Sequence, residues 1–307
     1  MITKLNSAAL PSVVFCLLMS PAVLADENPY ATAMTKYFEK NYVTLGGGFD
    51  DTDNIQFKDI YYEAQLYGHF NWISSEYKNE TSDIWQLYLP VRLQVRQYRS
   101  DSSPVKTPGY NPGIRVYYAH HSWLNGTDDF HYASLGLHHY SNGQNGPHLD
   151  PVSGDINTDT GSFSSDYAEL SYYRVSTNQT MEWAKVNYRY YFVNATWEAE
   201  QTGFYEDRLV ELSGRFSLFD KPADSQDFFD TISLQLTLAR KIGRDFITPG
   251  IKANDSDNLQ YTGELIMKPS GWKDLSMYAR WDKGYDYYNI NYATQMNRIH
   301  FGVVADW

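Results

Sequence analysis

The chain has 307 residues, and aspartate plus glutamate outnumber lysine plus arginine by 37 to 25, giving a net charge of -12 at pH 7. An acidic balance of this size disfavours a broad nucleic-acid-binding surface. The mean hydropathy is -0.53, and beyond residue 25 no apolar run reaches the roughly 20 residues that a membrane-spanning helix needs. These quantities exclude a helical membrane protein but not a β-barrel, whose strands expose only alternate residues to lipid.

The first 25 residues have the pattern of a secretory signal peptide. Lys4 precedes a mostly apolar, uncharged stretch from Ala8 to Ala22, and the small residue Ala25 is suited to cleavage. The only cysteine, Cys16, lies inside this segment. We therefore expect a mature chain, 26–307, that forms one outer-membrane domain after a short periplasmic lead-in and has no thiol chemistry.

Strict alternation of apolar and polar residues predicts two-faced β-strands. Residues 232–238 read Ile-Ser-Leu-Gln-Leu-Thr-Leu, with four aliphatic side chains on one face and three polar ones on the other. The same pattern predicts about twelve strands, near 41–48, 61–71, 84–98, 113–122, 129–141, 165–176, 181–194, 203–218, 230–241, 258–268, 274–288 and 297–307.

The last segment favours closure into a barrel. Ile299, Phe301, Val303 and Trp307 share one face, and the chain ends on an aromatic residue. Aromatic residues make up 16% of the chain, and barrels place such residues in girdles at both membrane interfaces. We predict an all-β, transmembrane, antiparallel up-and-down barrel of about 12 strands; a tyrosine-rich secreted sandwich is the alternative.

Residues 139–143 form the candidate chemical motif, His-Tyr-Ser-Asn-Gly. The strand period of two puts His139 and Ser141 on one face, shared with Leu135 and Leu137, which should point to lipid. An imidazole beside a hydroxyl has a direct chemical use, since neutral imidazole can take the serine proton as Oγ attacks an ester carbonyl. The motif therefore predicts a nucleophile and its general base.

The chain resembles the outer-membrane phospholipase A family, whose hallmark is H-x-S-N-G at the outer end of a barrel strand. Two further stretches support the resemblance. The sequence Ser-Ser-Pro at 102–104, followed by Tyr-Asn-Pro at 110–112, resembles a loop of the family and its next strand. Residues 284–292 and the final strand resemble the family's last hairpin.

The resemblance implies a role for each matching residue. His139 would be the base, Ser141 the nucleophile, and Gly143 would supply a backbone N–H to the oxyanion. The family polarises this site with calcium, which by position would be held by Ser102, the carbonyl of Gln144 and Thr160. Oxygen ligands of this kind suit a hard cation.

The third member of the triad departs from the family, which has asparagine at this position. Aligning Phe163 and Tyr167 without a gap puts Ser164 there. A register shifted by two would instead bring Asp166, a carboxylate that stabilises an imidazolium more strongly. Both residues have the parity of the lipid-facing side, and the alignment favours Ser164.

Other polar residues receive structural interpretations. His138 should face the lumen as a polar filler. His120 and His121 should lie on opposite faces of their strand and so should not bind one metal together. The acidic loop residues Asp150 and Asp159, together with Asp155 between them, are expected to be solvated.

The sequence thus predicts a calcium-dependent phospholipase that hydrolyses acyl esters of glycerophospholipids in the outer membrane and acts as a homodimer, as the resemblance implies. One alternative is an impaired homologue that serves as a non-enzymatic barrel or channel. A passive porin is the other, although it would have no use for His139 and Ser141 on the lipid face.

Overall fold

A computed structural model describes residues 30, 34, 39–49, 55–75, 82–98, 105–106, 108–154, 157, 160–176, 179–192, 208–222, 225–242, 247–248, 251–252, 258–288 and 295–305. The predicted signal peptide and the candidate calcium ligand Ser102 lie outside these residues. So do Asp155 and Asp159.

The described residues form fourteen strands. They are β1 (Asn41–Phe49), β2 (Ile55–Ser74), β3 (Ile84–Tyr98), β4 (Gly109–Ala119), β5 (Asp129–Ser141), β6 (Ser164–Ser176), β7 (Met181–Phe192), β8 (Arg208–Asp220), β9 (Phe229–Ile242), β10 (Ile247–Thr248), β11 (Ile251–Lys252), β12 (Leu259–Pro269), β13 (Leu275–Tyr285) and β14 (Gln295–Ala305). Within these residues no helix is both long and apolar enough to cross a membrane.

Twelve of the described strands close into one antiparallel barrel, as predicted. Each strand pairs with its neighbours in sequence, except that β10 and β11 form a separate two-stranded hairpin between β9 and β12. Closure comes from β1 and β14, whose register pairs Val43 with Val303 and Leu45 with Phe301. A closed barrel satisfies backbone hydrogen bonds that lipid cannot satisfy.

The outer surface is apolar in its middle and aromatic at both ends. Leu135, Leu170 and Leu236 are about half exposed there, as the alternation predicts. Aromatic side chains are exposed near one end at Trp72, Trp85, Tyr118, Tyr172, Phe228 and Trp272, and near the other end at Tyr62, Tyr110, Tyr190, Phe192, Tyr261 and Trp281. An apolar band between two aromatic girdles is the surface of an outer-membrane barrel.

The lumen is filled by charged and polar side chains. Arg96 is fully buried and pairs with Glu63 at 2.7 Å and with Asp286 at 2.6 Å, and Asp286 also accepts a hydrogen bond from Arg298 at 3.1 Å. These pairs join β2, β3, β14 and the segment after β13 on the inside of the barrel. A cavity of about 280 Å³ remains, and charged side chains such as Arg92, Arg189 and Glu211 line it.

The two ends of the barrel differ in the length of their connections. At one end the connections are short, including 177–180 between β6 and β7 and 270–274 between β12 and β13. At the other end they are longer, including 142–163 between β5 and β6 and 193–207 between β7 and β8. Outer-membrane barrels have short periplasmic turns and longer extracellular loops, which places the end of β5 on the outer side.

The end of β4 corrects the prediction for His120 and His121. The strand was expected to continue to residue 122, but it ends at Ala119 and a single 3-10 turn, η1 (His121–Trp123), follows. The period of two therefore no longer applies, and the two imidazole rings lie side by side with centroids 4.1 Å apart. They do not point to opposite faces.

Candidate active site

The candidate residues lie at the outer end of the β5–β6 pair. His139 and Ser141 end β5, and the antiparallel register pairs them with Asp166 and Ser164 of β6, respectively. His139 points to the outside of the barrel, with 48% of its side chain exposed. The neighbouring His138 points inward and is buried, where it stacks on Tyr167 and lies 3.0 Å from Arg115 Nη2. The expected lumenal position of His138 is confirmed.

The imidazole of His139 contacts a carboxylate. His139 Nδ1 lies 2.7 Å from Asp166 Oδ1. Residues that face each other on adjacent strands bring their side chains close together, so this contact follows from the register. A carboxylate on Nδ1 fixes the ring tautomer and leaves Nε2 free to accept a proton.

Ser164, which the alignment favoured as the partner of His139, lies opposite Ser141 instead. Of the two candidates named from sequence, Asp166 is the one that touches the imidazole. The two candidates differ by a shift of two residues in the register of β6 against β5. Such a shift leaves both Ser164 and Asp166 on the lipid-facing side.

Ser141 and His139 share a face but do not form a hydrogen bond in the described residues. Two positions along a strand span about 7 Å, so the Ser141 hydroxyl reaches Nε2 only if one or both side chains change rotamer. Catalytic hydrogen bonds of this kind are often long before substrate binds. His139 and Ser141 therefore occupy the positions of a catalytic dyad, but the hydrogen bond between them is not formed in this structure.

Asn142 holds the loop that follows the candidate nucleophile. Its buried amide donates to the carbonyl of Gly161 at 2.8 Å, and its Oδ1 accepts from the backbone N–H groups of Phe163 at 3.0 Å and Gln144 at 3.3 Å. From sequence, Asn142 before Gly143 predicts only a turn of the chain. Its position before a glycine was the available signal, because asparagine at turns commonly bonds to nearby backbone groups.

Gly143 follows with a φ of +67°, which favours glycine. The residue is exposed and lies two positions after Ser141. A backbone N–H at this point can contribute to an oxyanion site if it turns toward the acyl carbonyl.

The proposed calcium ligands Gln144 and Thr160 lie on two loop segments that pair with each other. Gly146 donates to the carbonyl of Thr160 at 3.1 Å, and Ser162 donates to the carbonyl of Gly146 at 2.9 Å. A Cβ at Gly146 would lie 2.3 Å from the Thr160 carbonyl oxygen, so only glycine permits this approach. Carbonyl and hydroxyl oxygens are the donors that calcium prefers, and the donor types of Gln144 and Thr160 fit that ion.

Asp150 has a structural role in the same loop. Its carboxylate accepts hydrogen bonds from the backbone N–H groups of Val152 at 2.8 Å and Ser153 at 2.9 Å. These bonds from Ser153 and Val152 lower the pKa of Asp150, because they stabilise the ionised form. The residue closes a turn at the tip of the loop.

Fold and site together define an outer-membrane β-barrel that carries a polar, lipid-facing cluster at its outer rim. Among solved structures, the chain is similar to outer membrane phospholipase A from Escherichia coli, with 14% identity, a TM-score of 0.56 and coverage of 87% of this chain and 90% of that chain. It is also similar to the Salmonella typhi outer membrane phospholipase dimer with bound calcium, at 13% identity, a TM-score of 0.54 and the same coverage.

These similarities concern the fold. No model of a known protein family matches the chain, and no curated protein sequence matches it.

Proposed function

We propose that the protein is a calcium-dependent outer-membrane phospholipase that hydrolyses acyl esters of glycerophospholipids. The observation that carries this proposal is the 2.7 Å contact between His139 Nδ1 and Asp166 Oδ1, beside a serine on the lipid-facing rim. An exposed contact between an imidazole and a carboxylate adds little to stability, so this one has a better explanation in chemistry than in folding.

In the proposed reaction, His139 Nε2 takes the Ser141 proton while Oγ attacks the ester carbonyl carbon. The tetrahedral intermediate then collapses, its C–O bond breaks, and His139 returns the proton to the leaving alcohol oxygen. A water molecule, deprotonated by the same histidine, then attacks the acyl carbon. The bond between that carbon and Ser141 Oγ breaks, His139 returns the proton to Oγ, and the fatty acid is released. Asp166 is the positioning residue, since it accepts the Nδ1–H and stabilises the imidazolium.

The oxyanion needs positive partners close to the acyl carbonyl. The backbone N–H of Gly143 supplies one. Calcium, when bound, supplies positive charge to the same oxygen. The carbonyl of Gln144 and the oxygens of Thr160 would hold the ion, together with Ser102.

The substrate class follows from the surface around the dyad. Leu135 and Leu137 are exposed by 58% and 53% on the same face of β5, and Leu170 is exposed by 55% on β6. Side chains of this kind suit fatty acyl chains. One barrel surface covers such chains on one side only, so we propose that a second copy of this chain completes the acyl-binding cleft in an active homodimer.

A non-enzymatic barrel is the second candidate, because the described structure has no hydrogen bond between Ser141 and His139. A passive channel is less well supported, since the buried side chains of Arg96, Glu63 and Asp286 occupy part of the lumen. A barrel of this kind that had lost its enzymatic activity would therefore act as a scaffold rather than as a pore.

The test is hydrolysis of a fluorescent phospholipid by refolded protein, with calcium and with chelator. Wild type should be active only with calcium, and Ser141→Ala should reduce the rate to background. Ser217→Ala, which removes a hydroxyl at the periplasmic end where Ser217 contacts Asp220, is the matched control. Activity that survives Ser141→Ala would remove Ser141 as the nucleophile, and no hydrolysis by folded wild type would favour the scaffold.

A further inference from the structure

A second polar cluster lies at the periplasmic end of the barrel, opposite the candidate active site. It comprises Asp83, which comes just before β3, and His120 and His121, which follow β4. One potential ligand atom from each of the three residues lies within 4.8 Å of the other two. The cluster is partly exposed to solvent, so a cation can reach it from the periplasm.

The spacing of these atoms is close to that of a zinc site. Asp83 Oδ1 lies 2.9 Å from His121 Nδ1 and 3.9 Å from His120 Nε2. Zinc bonds of about 2.0–2.1 Å at tetrahedral angles place neighbouring ligand atoms about 3.3 Å apart. The two observed distances lie on either side of this value, so shifts of less than 1 Å would bring Asp83 Oδ1 to a zinc-like separation from each imidazole.

Surrounding groups orient two of the three ligands, Asp83 and His120, as the second layer of a metal site does. Tyr118 OH donates to Asp83 Oδ2 at 2.8 Å, and the backbone N–H of His121 donates to Oδ1 at 3.0 Å, which fixes the carboxylate with Oδ1 directed at the two imidazoles. The Ser122 hydroxyl lies 2.7 Å from His120 Nδ1 and can accept the proton that Nδ1 carries when Nε2 binds a metal. In this structure the backbone N–H of Ser122 donates to His120 Nδ1 at 3.2 Å, so metal binding at Nε2 would move the imidazole proton to Nδ1, where the Ser122 hydroxyl can accept it. Partners of this type fix the tautomer of a ligating histidine.

The carboxylate is held in its ionised form. Hydrogen bonds from the backbone and the side chain of His121, and from Tyr118, lower the pKa of Asp83. A negative ligand beside two imidazoles suits a borderline divalent cation, because imidazole nitrogen suits zinc, copper and nickel while calcium and magnesium prefer oxygen alone.

We propose that Asp83, His120 and His121 form a binding site for a zinc-class divalent cation on the periplasmic rim. Zinc would take Asp83 Oδ1, His120 Nε2, His121 Nδ1 and a water molecule. The cation then joins the start of β3 to the segment between β4 and β5. Because it binds only the folded barrel, it stabilises that state by mass action.

The experiment uses untagged, refolded protein that has been treated with chelator and then returned to excess calcium, so that sites for hard cations are filled. Zinc binding is measured by equilibrium dialysis and elemental analysis, and cobalt absorption reports the ligand geometry. Wild type should bind one zinc ion per chain. His120→Gln, His121→Gln and Asp83→Asn should each weaken binding by at least about tenfold.

His131→Gln is the matched control, since His131 contacts Tyr172 OH at 2.6 Å and lies on β5 near the same end of the barrel. It should bind zinc as wild type does. His120→Gln removes the contacts of His120 with Ser122 but keeps those of Asp83 with His121 and Tyr118, so it tests the metal without removing the hydrogen bonds that hold the carboxylate. No stoichiometric zinc in wild type, or equal affinity in the His120→Gln/His121→Gln double variant, would overturn the site.

Discussion

His139 Nδ1 lies 2.7 Å from Asp166 Oδ1 because the two residues face each other across β5 and β6. The resembling family carries asparagine as the third member of its triad, whereas the residue that contacts His139 in this chain is an aspartate. An amide oxygen and a carboxylate oxygen both accept the imidazole N–H, and the carboxylate also stabilises the imidazolium. Asp166 thus provides an acceptor for the imidazole N–H of His139, as an asparagine would.

This relationship predicts different effects for three substitutions. Asp166→Ala removes the acceptor and should lower kcat by on the order of 10²-fold or more, whereas Asp166→Asn retains an acceptor and should lose less. Ser164→Ala should stay within a few-fold of wild type. Initial rates are compared at equal amounts of folded barrel, which is judged by faster migration of the unheated protein on gels. A silent Asp166→Ala combined with a strongly impaired Ser164→Ala would restore Ser164 as the partner.

The link between Asn142 and the loop predicts a calcium phenotype. Asn142→Ala removes the contacts with Gly161, Phe163 and Gln144, so the proposed oxygen ligands lose their relative positions. We expect a higher calcium concentration for half-maximal activity together with a lower maximal rate. Asn125→Ala, at the periplasmic end, is the control. An unchanged calcium response in Asn142→Ala would contradict a role for this loop in holding the ion.

Ser102 is tested in the same assay. Ser102→Ala should raise the calcium concentration that gives half-maximal activity, because one oxygen ligand is lost. The neighbouring Ser103→Ala should leave that concentration unchanged. If both variants respond to calcium as wild type does, the ion is bound elsewhere.

The buried ion pairs of the lumen predict a large effect on stability. Arg96→Met leaves Glu63 and Asp286 without one of their cationic partners, and the loss of one partner from a buried pair costs about 3–5 kcal/mol. The temperature at which the folded gel band disappears should fall clearly. Arg240→Met removes an exposed arginine of β9 and should have little effect. Equal unfolding temperatures for Arg96→Met and wild type would contradict a stabilising role for these pairs.

The barrel was predictable from sequence because alternation decides which face meets lipid. Leu135, Leu137 and Phe301 point outward and His300 points inward, as their parity requires. The partner of His139 was harder to predict. Shifting β6 by two residues preserves every lipid-facing side chain, so the hydrophobic pattern cannot distinguish Ser164 from Asp166.

Sequence periodicity also failed where a strand ended early. The pairing of His120 and His121 depends on β4 stopping at Ala119, and no glycine or proline marks that point. Likewise, β10 and β11 are too short to show an alternation of apolar and polar residues. Such boundaries depend on contacts with other strands rather than on local sequence.

The most direct test of the central claim is covalent labelling of Ser141. A long-chain alkyl fluorophosphonate forms an Oγ–P bond with an activated serine as its P–F bond breaks. Refolded protein with calcium is treated with the probe, and the modified peptide is identified by mass spectrometry. We expect one label per chain, on Ser141, with labelling lost in His139→Asn and retained in His131→Asn. Labelling on another residue, or equal labelling of His139→Asn and wild type, would contradict the proposed dyad.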